Sequence, residues 1–291
     1  MKVYEYHDVN FRGTIDKVIY TTTNKDNELR EKYALVYLPH GYDAADKSKK
    51  YNVLYLMHGG GGSPDAWLDC CKVKNMLDYT IDAGEVDPLI VVFPTFYKEK
   101  ISRIGKPVPE VERFNTKFFQ KELAAELIPA IEGKYNTYAE DVTHEGLKAS
   151  REHRAFGGFS MGGCTTWFAL MENMDVIANF LPLSGDCWEV APLGGGSKTH
   201  ETAQVICDAI RQSGYAPEAY RVYAATGSED LANTALTPLI EALKTHTDFF
   251  TFSEDFTQGN LHFFVEEGWK HQYEAVYQYA YNYLPYLFKN V

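Results

Sequence analysis

The sequence lacks the features that mark a membrane-spanning or nucleic-acid-binding protein. No apolar run approaches the length that spans a bilayer, and the first eight of its 291 residues lack the apolar stretch of a secretory signal. Basic residues are few, with 28 Lys and Arg against 40 Asp and Glu, and the net charge of −12 opposes binding to phosphate backbones or anionic lipids. We therefore expect a soluble protein with no nucleic-acid partner and no membrane attachment.

Cysteine is also scarce, and neither cysteine nor histidine is spaced as in a metal site. The five cysteines form an odd number without the paired spacing of zinc ligands. We expect free thiols, no metal ion and no cofactor. The compartment stays open between the cytoplasm and secretion, with a signal removed or the chain excised from a larger secreted protein.

No linker divides the chain. It has no stretch rich in proline or serine, no long run of one charge and no internal repeat. At 45% hydrophobic residues it has ample apolar material for a large core. We therefore predict one domain over residues 1–291, with the oligomeric state left open.

Short apolar runs alternate with segments of helical periodicity. The continuous runs at 53–57 and 89–93 are typical of strands buried on both faces of a parallel sheet. Earlier strands are predicted at 17–22 and at 33–39, where apolar and polar residues alternate, and these two are expected to be antiparallel. Further strands are predicted at 178–183, 221–225 and 261–265, and helices at 75–83, 118–135, 203–213, 234–246 and 272–288. The pattern predicts an α/β fold, with a mostly parallel doubly wound sheet, antiparallel N-terminal strands and helices on both faces.

The most informative motif is Gly-Phe-Ser-Met-Gly at residues 158–162. It follows an apolar run at 155–159 and precedes a segment of helical periodicity, so a strand must turn sharply into a helix at Ser160. The flanking glycines remove the Cβ atoms that would collide in such a turn. We predict a nucleophile elbow, with Ser160 as the nucleophile and the Met161 N–H, at the helix start, as an oxyanion donor.

A glycine run follows the strand predicted at 53–57. Carboxyl ends of strands in such a sheet gather reactive groups, and His-Gly-Gly-Gly-Gly-Ser at 58–63 exposes backbone N–H groups without side-chain obstruction. We predict that Gly60 supplies the second oxyanion donor, with Gly61 next in line and in contact with substrate. The alternative is a flexible turn.

An acidic residue follows the strand predicted at 221–225. The sequence Thr-Gly-Ser-Glu-Asp at 226–230 places Asp230, with Glu229 as its competitor, between the serine and the C-terminal histidines. We predict that Asp230 accepts the Nδ1 proton of a histidine, fixes its tautomer and stabilises the imidazolium. The alternative is a helix N-cap before Leu231, since aspartate is a favoured capping residue.

Two histidines compete for the base. In α/β hydrolases the histidine follows the serine and the acid along the chain. His262 lies inside the strand predicted at 261–265, where a structural role is expected, whereas His271 follows the loop that leaves this strand. We predict His271 as the catalytic base.

Four segments together resemble carbohydrate esterase family one, the feruloyl and acetylxylan esterases of the α/β-hydrolase superfamily that are related to esterase D. They are residues 58–63 followed by Trp67, 154–163, 227–230, and 271–273 leading into Val276 and Tyr277. Their order and spacing agree from about residue 18 to residue 288. The resemblance implies a serine esterase of plant cell-wall esters, with release of ferulate from feruloylated xylan preferred over acetylxylan hydrolysis. It also favours His271 over His262.

Candidate walls of the substrate pocket are less well defined. Trp188 and Trp269 are predicted to form an aromatic wall for a hydroxycinnamoyl ring or a sugar, with packing at the rim as the alternative. The polar segment 95–116 is predicted to be a long loop that covers the site or forms a surface insertion, and Gly-Gly-Gly-Ser at 194–197 a flexible loop.

Other functions use the same residues. A thioesterase of the S-formylglutathione hydrolase type, a siderophore esterase and an acyltransferase would share Ser160, Asp230 and His271. A different class is a non-catalytic hydrolase fold used as a binding module, against which the complete set of these residues argues.

Overall fold

A computed structural model describes residues 1–24, 26–97 and 109–289 of the chain. The apolar runs of this part of the sequence form eight strands. They are β1 (Thr14–Thr23), β2 (Leu29–Leu38), β3 (Asn52–Met57), β4 (Leu89–Phe93), β5 (Arg154–Phe159), β6 (Asn179–Leu183), β7 (Arg221–Gly227) and β8 (Leu261–Glu266). One sheet contains them all, in the order β1-β2-β4-β3-β5-β6-β7-β8.

The sheet is mixed because its first two strands run against their neighbours. β1 is antiparallel to β2, and β2 is antiparallel to β4. The pairings among β3 to β8 are parallel. Since parallel strands end at the same edge of a sheet, the loops that follow β3, β5, β6, β7 and β8 meet there.

Helices connect the parallel strands. The α-helices of the described residues are α1 (Ala66–Cys70), α2 (Val73–Asp82), α3 (Pro109–Glu122), α4 (Ile128–Glu132), α5 (His144–Ala149), α6 (Met161–Glu172), α7 (Gly194–Ser197), α8 (Thr199–Ser213), α9 (Asn233–Lys244) and α10 (Tyr273–Tyr283). A π-helical turn, Leu123–Leu127, joins α3 to α4. Within these ranges no helix is both long and apolar enough to cross a bilayer.

Two apolar cores lie on opposite faces of the sheet. Successive side chains of a strand point to opposite faces. In β3, Tyr55 therefore joins the cluster that contains Trp167 of α6, while Leu56 joins the cluster that contains Met76 of α2 and Tyr279 of α10. Helices cover both faces, which confirms the predicted fold class.

The segment predicted as a loop at 95–116 is helical in its last part. Residues 98–108 lie outside the described part of the chain, and α3 begins at Pro109, so the prediction of a loop over 109–116 is wrong. The helix start has two recognisable signals, a proline at the first helical position and acidic residues in the first turn, here Glu110 and Glu112. The polar character of the segment led to the prediction of a loop in spite of them.

The flexible loop predicted at 194–197 is also wrong, since these residues form α7. A Cβ on Gly195 would lie 2.6 Å from the carbonyl oxygen of Ala235, and one on Gly196 would lie 2.7 Å from that of Thr234. Close packing against α9 therefore supports a helix that glycine propensity disfavours.

The helix predicted at 272–288 ends instead at Tyr283 and continues as a 3₁₀ turn, Leu284–Tyr286.

The N-terminal segment fastens the last helix to the fold. The Tyr4 N–H donates to Gln278 Oε1 at 2.6 Å, and Gln278 Nε2 donates back to the Tyr4 carbonyl at 3.0 Å. The Tyr4 hydroxyl donates to Asn75 Oδ1 of α2 at 2.5 Å. Residues before β1 thus connect α10 with α2 on one face of the sheet.

Gln278→Ala should lower the free energy of unfolding by about 1–3 kcal/mol, because it leaves two buried backbone groups of Tyr4 without their partners. Urea unfolding at pH 7 measures the change. Gln204→Ala is the matched control, since Gln204 is exposed on α8 and its loss should change stability by less than about 0.5 kcal/mol. Equal stability of the two variants would contradict the fastening role.

Candidate active site

Ser160 occupies a strained turn between β5 and α6. Its φ of 57° and ψ of −114° lie outside the regions that L-residues ordinarily adopt. Such strain costs on the order of 1–3 kcal/mol and persists only where neighbouring contacts enforce it. Here the Ser160 N–H donates to the carbonyl of Leu183 at the end of β6, and its own carbonyl accepts from Cys164 N–H in α6.

The glycines of the motif permit this turn by letting three elements approach closely. A Cβ on Gly158 would lie 2.7 Å from the Met57 carbonyl oxygen, and one on Gly162 would lie 2.5 Å from the same atom. A Cβ on Gly163 would lie 2.8 Å from the Leu183 carbonyl oxygen. The first turn of α6 therefore packs directly on the ends of β3 and β6, which fixes the Ser160 side chain at the sheet edge.

A chain of hydrogen bonds links three residues from three loops. His271 Nε2 lies 2.8 Å from Ser160 Oγ, and His271 Nδ1 lies 2.7 Å from Asp230 Oδ1. Since a carboxylate only accepts, the Nδ1–H donates to it, and Nε2 of the neutral ring can accept the serine proton. Asp230 is 3% exposed and also accepts the Ala232 N–H at 2.7 Å. Asp230 is therefore in position to orient His271, whereas the alternative of a helix N-cap before Leu231 is not observed, because α9 begins at Asn233 with Ala232 at its N-cap.

The competing residues lie elsewhere. Glu229 is exposed, with a carboxylate oxygen 3.5 Å from Lys270 Nζ. His262 is buried in β8, where its Nδ1 lies 2.9 Å from the Ser253 carbonyl oxygen and its ring stacks on Tyr223. Burial lowers the pKa of His262. The geometry therefore brings His271, and not His262, to Ser160.

The glycine run after β3 offers one unused N–H at its centre. The N–H groups of Gly59 and Gly61 donate to the hydroxyls of Tyr273 (3.1 Å) and Tyr97 (2.9 Å), and that of Gly62 donates to the Gly59 carbonyl. Within the described ranges no acceptor takes the Gly60 N–H. Gly60 is exposed, and a Cβ on it would lie 3.1 Å from Met161 Cγ.

Gly60 therefore lies beside Met161, the other residue predicted to supply an oxyanion donor. The Met161 N–H belongs to the first residue of α6 and has no carbonyl one turn before it. Gly61 was predicted as the next choice of oxyanion donor and as a substrate contact, but Tyr97 already accepts its N–H.

His58 stabilises the start of the glycine run through a hydrogen bond to the Gly59 carbonyl. It is fully buried, with Nδ1 2.7 Å from the Gly59 carbonyl oxygen and Nε2 2.8 Å from Thr95 Oγ1. Nδ1 must donate to that carbonyl, which leaves Nε2 to accept the threonine hydroxyl proton. Burial lowers the pKa of His58 to about 4, so the ring is neutral at pH 7.

Acidification should destabilise the protein through His58. The ordinary pKa of 6.5 falls to about 4 in the folded chain, so between these values the unfolded chain binds a proton that the native one does not. As the pH is lowered from 6.5 to about 4, the free energy of unfolding should therefore decrease, by about 3 kcal/mol at the lower pH.

Urea unfolding at pH 7 and pH 4.5, compared between the native chain and His58→Gln, isolates this contribution because other groups titrate alike in both. His200→Gln, at an exposed position of α8, is the control and should keep the native pH dependence. An unchanged slope in His58→Gln would rule out the assignment.

The two tryptophans have different surroundings. Trp188 follows β6, is partly exposed, and donates its Nε1–H to Asp186 Oδ1 at 2.8 Å. Trp269 packs against the core on the α10 side, with its ring centroid 6.5 Å from that of Tyr279, and its carbonyl accepts the Glu229 N–H. These contacts of Trp269 correspond to the packing alternative.

Sequence reasoning missed the side chains that hold the site from a distance. Tyr97 and Tyr273 take up two N–H groups of the glycine run, and Asp186 holds Trp188. The chain has 21 tyrosines, and no local pattern indicates that these two bond to the glycine run. In the described part of the chain, no group of three His, Cys, Asp or Glu side chains is arranged to hold a metal ion.

Comparison with known proteins gives the same classification. The Esterase family model matches residues 28–279. Endo-1,4-beta-xylanase Y of Acetivibrio thermocellus is 41% identical over 277 residues, 95% of this chain and 23% of that protein. The endo-1,4-beta-xylanase/feruloyl esterase of Xylanibacter ruminicola is 32% identical over 187 residues, 62% of this chain and 23% of that protein. The chain thus spans 23% of the length of these curated relatives.

Solved structures resemble the whole chain. The feruloyl esterase module from Clostridium thermocellum, a serine-to-alanine mutant complexed with sinapinate, is 38% identical with a TM-score of 0.81, covering 100% of this chain and 97% of that one. S-formylglutathione hydrolase from Staphylococcus aureus is 13% identical with a TM-score of 0.62, covering 96% of this chain and 100% of that one, and shares the fold. From the family model and the match to the feruloyl esterase module, the chain belongs to the Esterase family, within carbohydrate esterase family one of the α/β hydrolases.

Proposed function

We propose that this chain is a serine esterase that releases ferulate from feruloylated xylan oligosaccharides, and that residues 1–291 act as one catalytic domain. The observation that carries the chemistry is the hydrogen-bonded series Ser160, His271 and Asp230 beside the Gly60 and Met161 N–H groups. The acyl group is inferred from relatives, one named xylanase/feruloyl esterase and one a feruloyl esterase module complexed with sinapinate.

In the acylation step, His271 Nε2 takes the Ser160 hydroxyl proton as Oγ attacks the ester carbonyl carbon. The carbonyl oxygen becomes an oxyanion, to which the Gly60 and Met161 N–H groups donate. Each such donor contributes on the order of 10²–10³ in rate, because it stabilises charge that exists only in the transition state. The C–O bond to the sugar then breaks, and His271 returns the proton to the departing alkoxide oxygen.

Deacylation repeats these roles with water. His271 takes a proton from the water that attacks the acyl-enzyme carbonyl, a second oxyanion forms, and its collapse releases the acid and returns the proton to Ser160. Asp230 keeps Nδ1 protonated and faces the imidazolium that exists in both transition states. Its burial excludes water that would weaken this interaction.

Parallel assays on methyl ferulate, acetylated xylan and S-formylglutathione test the substrate. We expect methyl ferulate to give the highest kcat/KM. Preference for acetylated xylan or the thioester would overturn the acyl assignment and leave the serine chemistry intact. Labelling by a fluorophosphonate separates the binding-module alternative, since a module without an activated serine would not react.

A further inference from the structure

The segment that follows β6 runs directly beside the nucleophile. Ser184 has a φ of 51°, and a Cβ on Gly185 would collide with the Ser160 carbonyl oxygen. Trp188 follows three residues later, a stretch of chain that reaches at most about 10 Å. The partly exposed Trp188 therefore belongs to the segment that passes the reacting serine.

Asp186 holds this segment together from inside the protein. It is 1% exposed, and its two carboxylate oxygens point to different partners. Oδ1 accepts the Trp188 Nε1–H at 2.8 Å, and Oδ2 accepts the Gly195 N–H of α7 at 2.9 Å. Burial is the main influence on this carboxyl group and raises its pKa to about 6.

The main chain around Trp188 is fixed by other residues. Arg113 Nε of α3 donates to the Trp188 carbonyl at 2.6 Å, and its guanidinium also donates to the Glu189 carbonyl. Lys117 Nζ lies 2.7 Å from a carboxylate oxygen of Glu189. Since α3 holds the backbone, the contact left to Asp186 is the one that orients the indole ring.

We propose that Asp186 is a positioning residue for acyl recognition, which holds the Trp188 indole in the orientation where it packs against the aromatic ring of the substrate acid. This inference rests on the proposed function. A carboxylate suits the task because both of its partners are N–H donors. An asparagine in its place would turn an NH₂ group toward either the indole or Gly195 and break one of the two bonds.

The test is the selectivity of Asp186→Asn, measured as kcat/KM for methyl ferulate divided by kcat/KM for p-nitrophenyl acetate, whose acyl group has no ring. We expect the ratio to fall about tenfold, mainly through a higher KM for methyl ferulate, since an aromatic contact of ordinary strength is lost. Trp188→Phe, which lacks the Nε1–H, should lower the ratio as well. Asp186→Asn added to Trp188→Phe should lower it no further. Asp208→Asn, at a partly exposed position of α8, is the control.

Equal losses on both esters, or an undiminished effect of Asp186→Asn in the Trp188→Phe background, would overturn the proposal. If Asp186→Asn does not fold, Trp188→Phe decides, because an unchanged ratio in that variant contradicts any role for the held indole. A native chain that hydrolyses p-nitrophenyl acetate but not methyl ferulate would refute the proposed function and this role together. An active native chain with an unchanged ratio in Asp186→Asn would refute only the role of Asp186.

Discussion

Ser160→Ala should reduce kcat for methyl ferulate by about 10⁵–10⁶-fold, because the residue that forms the covalent intermediate is gone and only the oxyanion donors and substrate binding remain. The folded state should persist, since alanine fits the space of serine and the strained turn is enforced by the backbone bonds to Leu183 and Cys164. Single-turnover assays give the rate, and thermal unfolding gives the stability.

Ser48→Ala is the matched control for this experiment, because Ser48 is an exposed serine whose hydroxyl donates to Asp46. It should retain native turnover. Activity of Ser160→Ala within tenfold of the native chain would exclude Ser160 as the nucleophile. His271→Ala should lose activity to a comparable degree, and removing both side chains should cost little more than removing one, since they act as a unit.

Arg154→Met should destabilise the protein by about 3–5 kcal/mol, the largest stability effect we expect from a single substitution. Arg154 begins β5, is 1% exposed, and pairs with Glu132 of α4 through two nitrogens. It also donates to the carbonyls of Leu147 and Val176. Without it, the Glu132 carboxylate is buried and, among the described residues, keeps only the hydroxyls of Tyr55 and Thr137 as donors.

Urea unfolding and the apparent Tm measure this effect, and a fall in Tm of about 10 °C corresponds to it. The double variant Arg154→Met/Glu132→Leu should recover much of the loss, since it removes the unpaired charge as well. Arg211→Met, which breaks an exposed pair with Asp208, should cost less than about 1 kcal/mol. Equal losses of stability in Arg154→Met and Arg211→Met would contradict this account.

Because Ser160 follows the last residue of β5, the pair of Arg154 and Glu132 also anchors the strand that carries the nucleophile.

The fold class could be predicted because its signals are local. Alternation along the strand at 33–39 and continuous apolar runs at 53–57 and 89–93 follow from which faces are buried. The glycines around Ser160 likewise indicate a turn that only residues without Cβ atoms allow. The errors fall where packing outweighs propensity, as in α7, or where charge hides a helix start, as at Pro109.

The residues of the candidate site could also be predicted in part from the sequence, while some of their contacts could not. Chain order and the ends of strands were enough to propose Ser160, Asp230 and His271, since serine, acid and histidine each follow a predictable strand. The sequence favoured Gly60 over Gly61, but it could not show that the distant hydroxyls of Tyr273 and Tyr97 take up the N–H groups on either side of Gly60.

The sequence by itself determined the order of the eight strands and of the longer helices, the elbow at Ser160 and the residue types available at the sheet edge. Each of these depends on periodicity or on steric limits within a few residues. The tertiary structure alone decided which N–H group stays unused, that Glu132 pairs with Arg154, and that Asp186 holds Trp188. These contacts are made by side chains whose positions depend on the packing of the whole sheet, and no local pattern of residues specifies them.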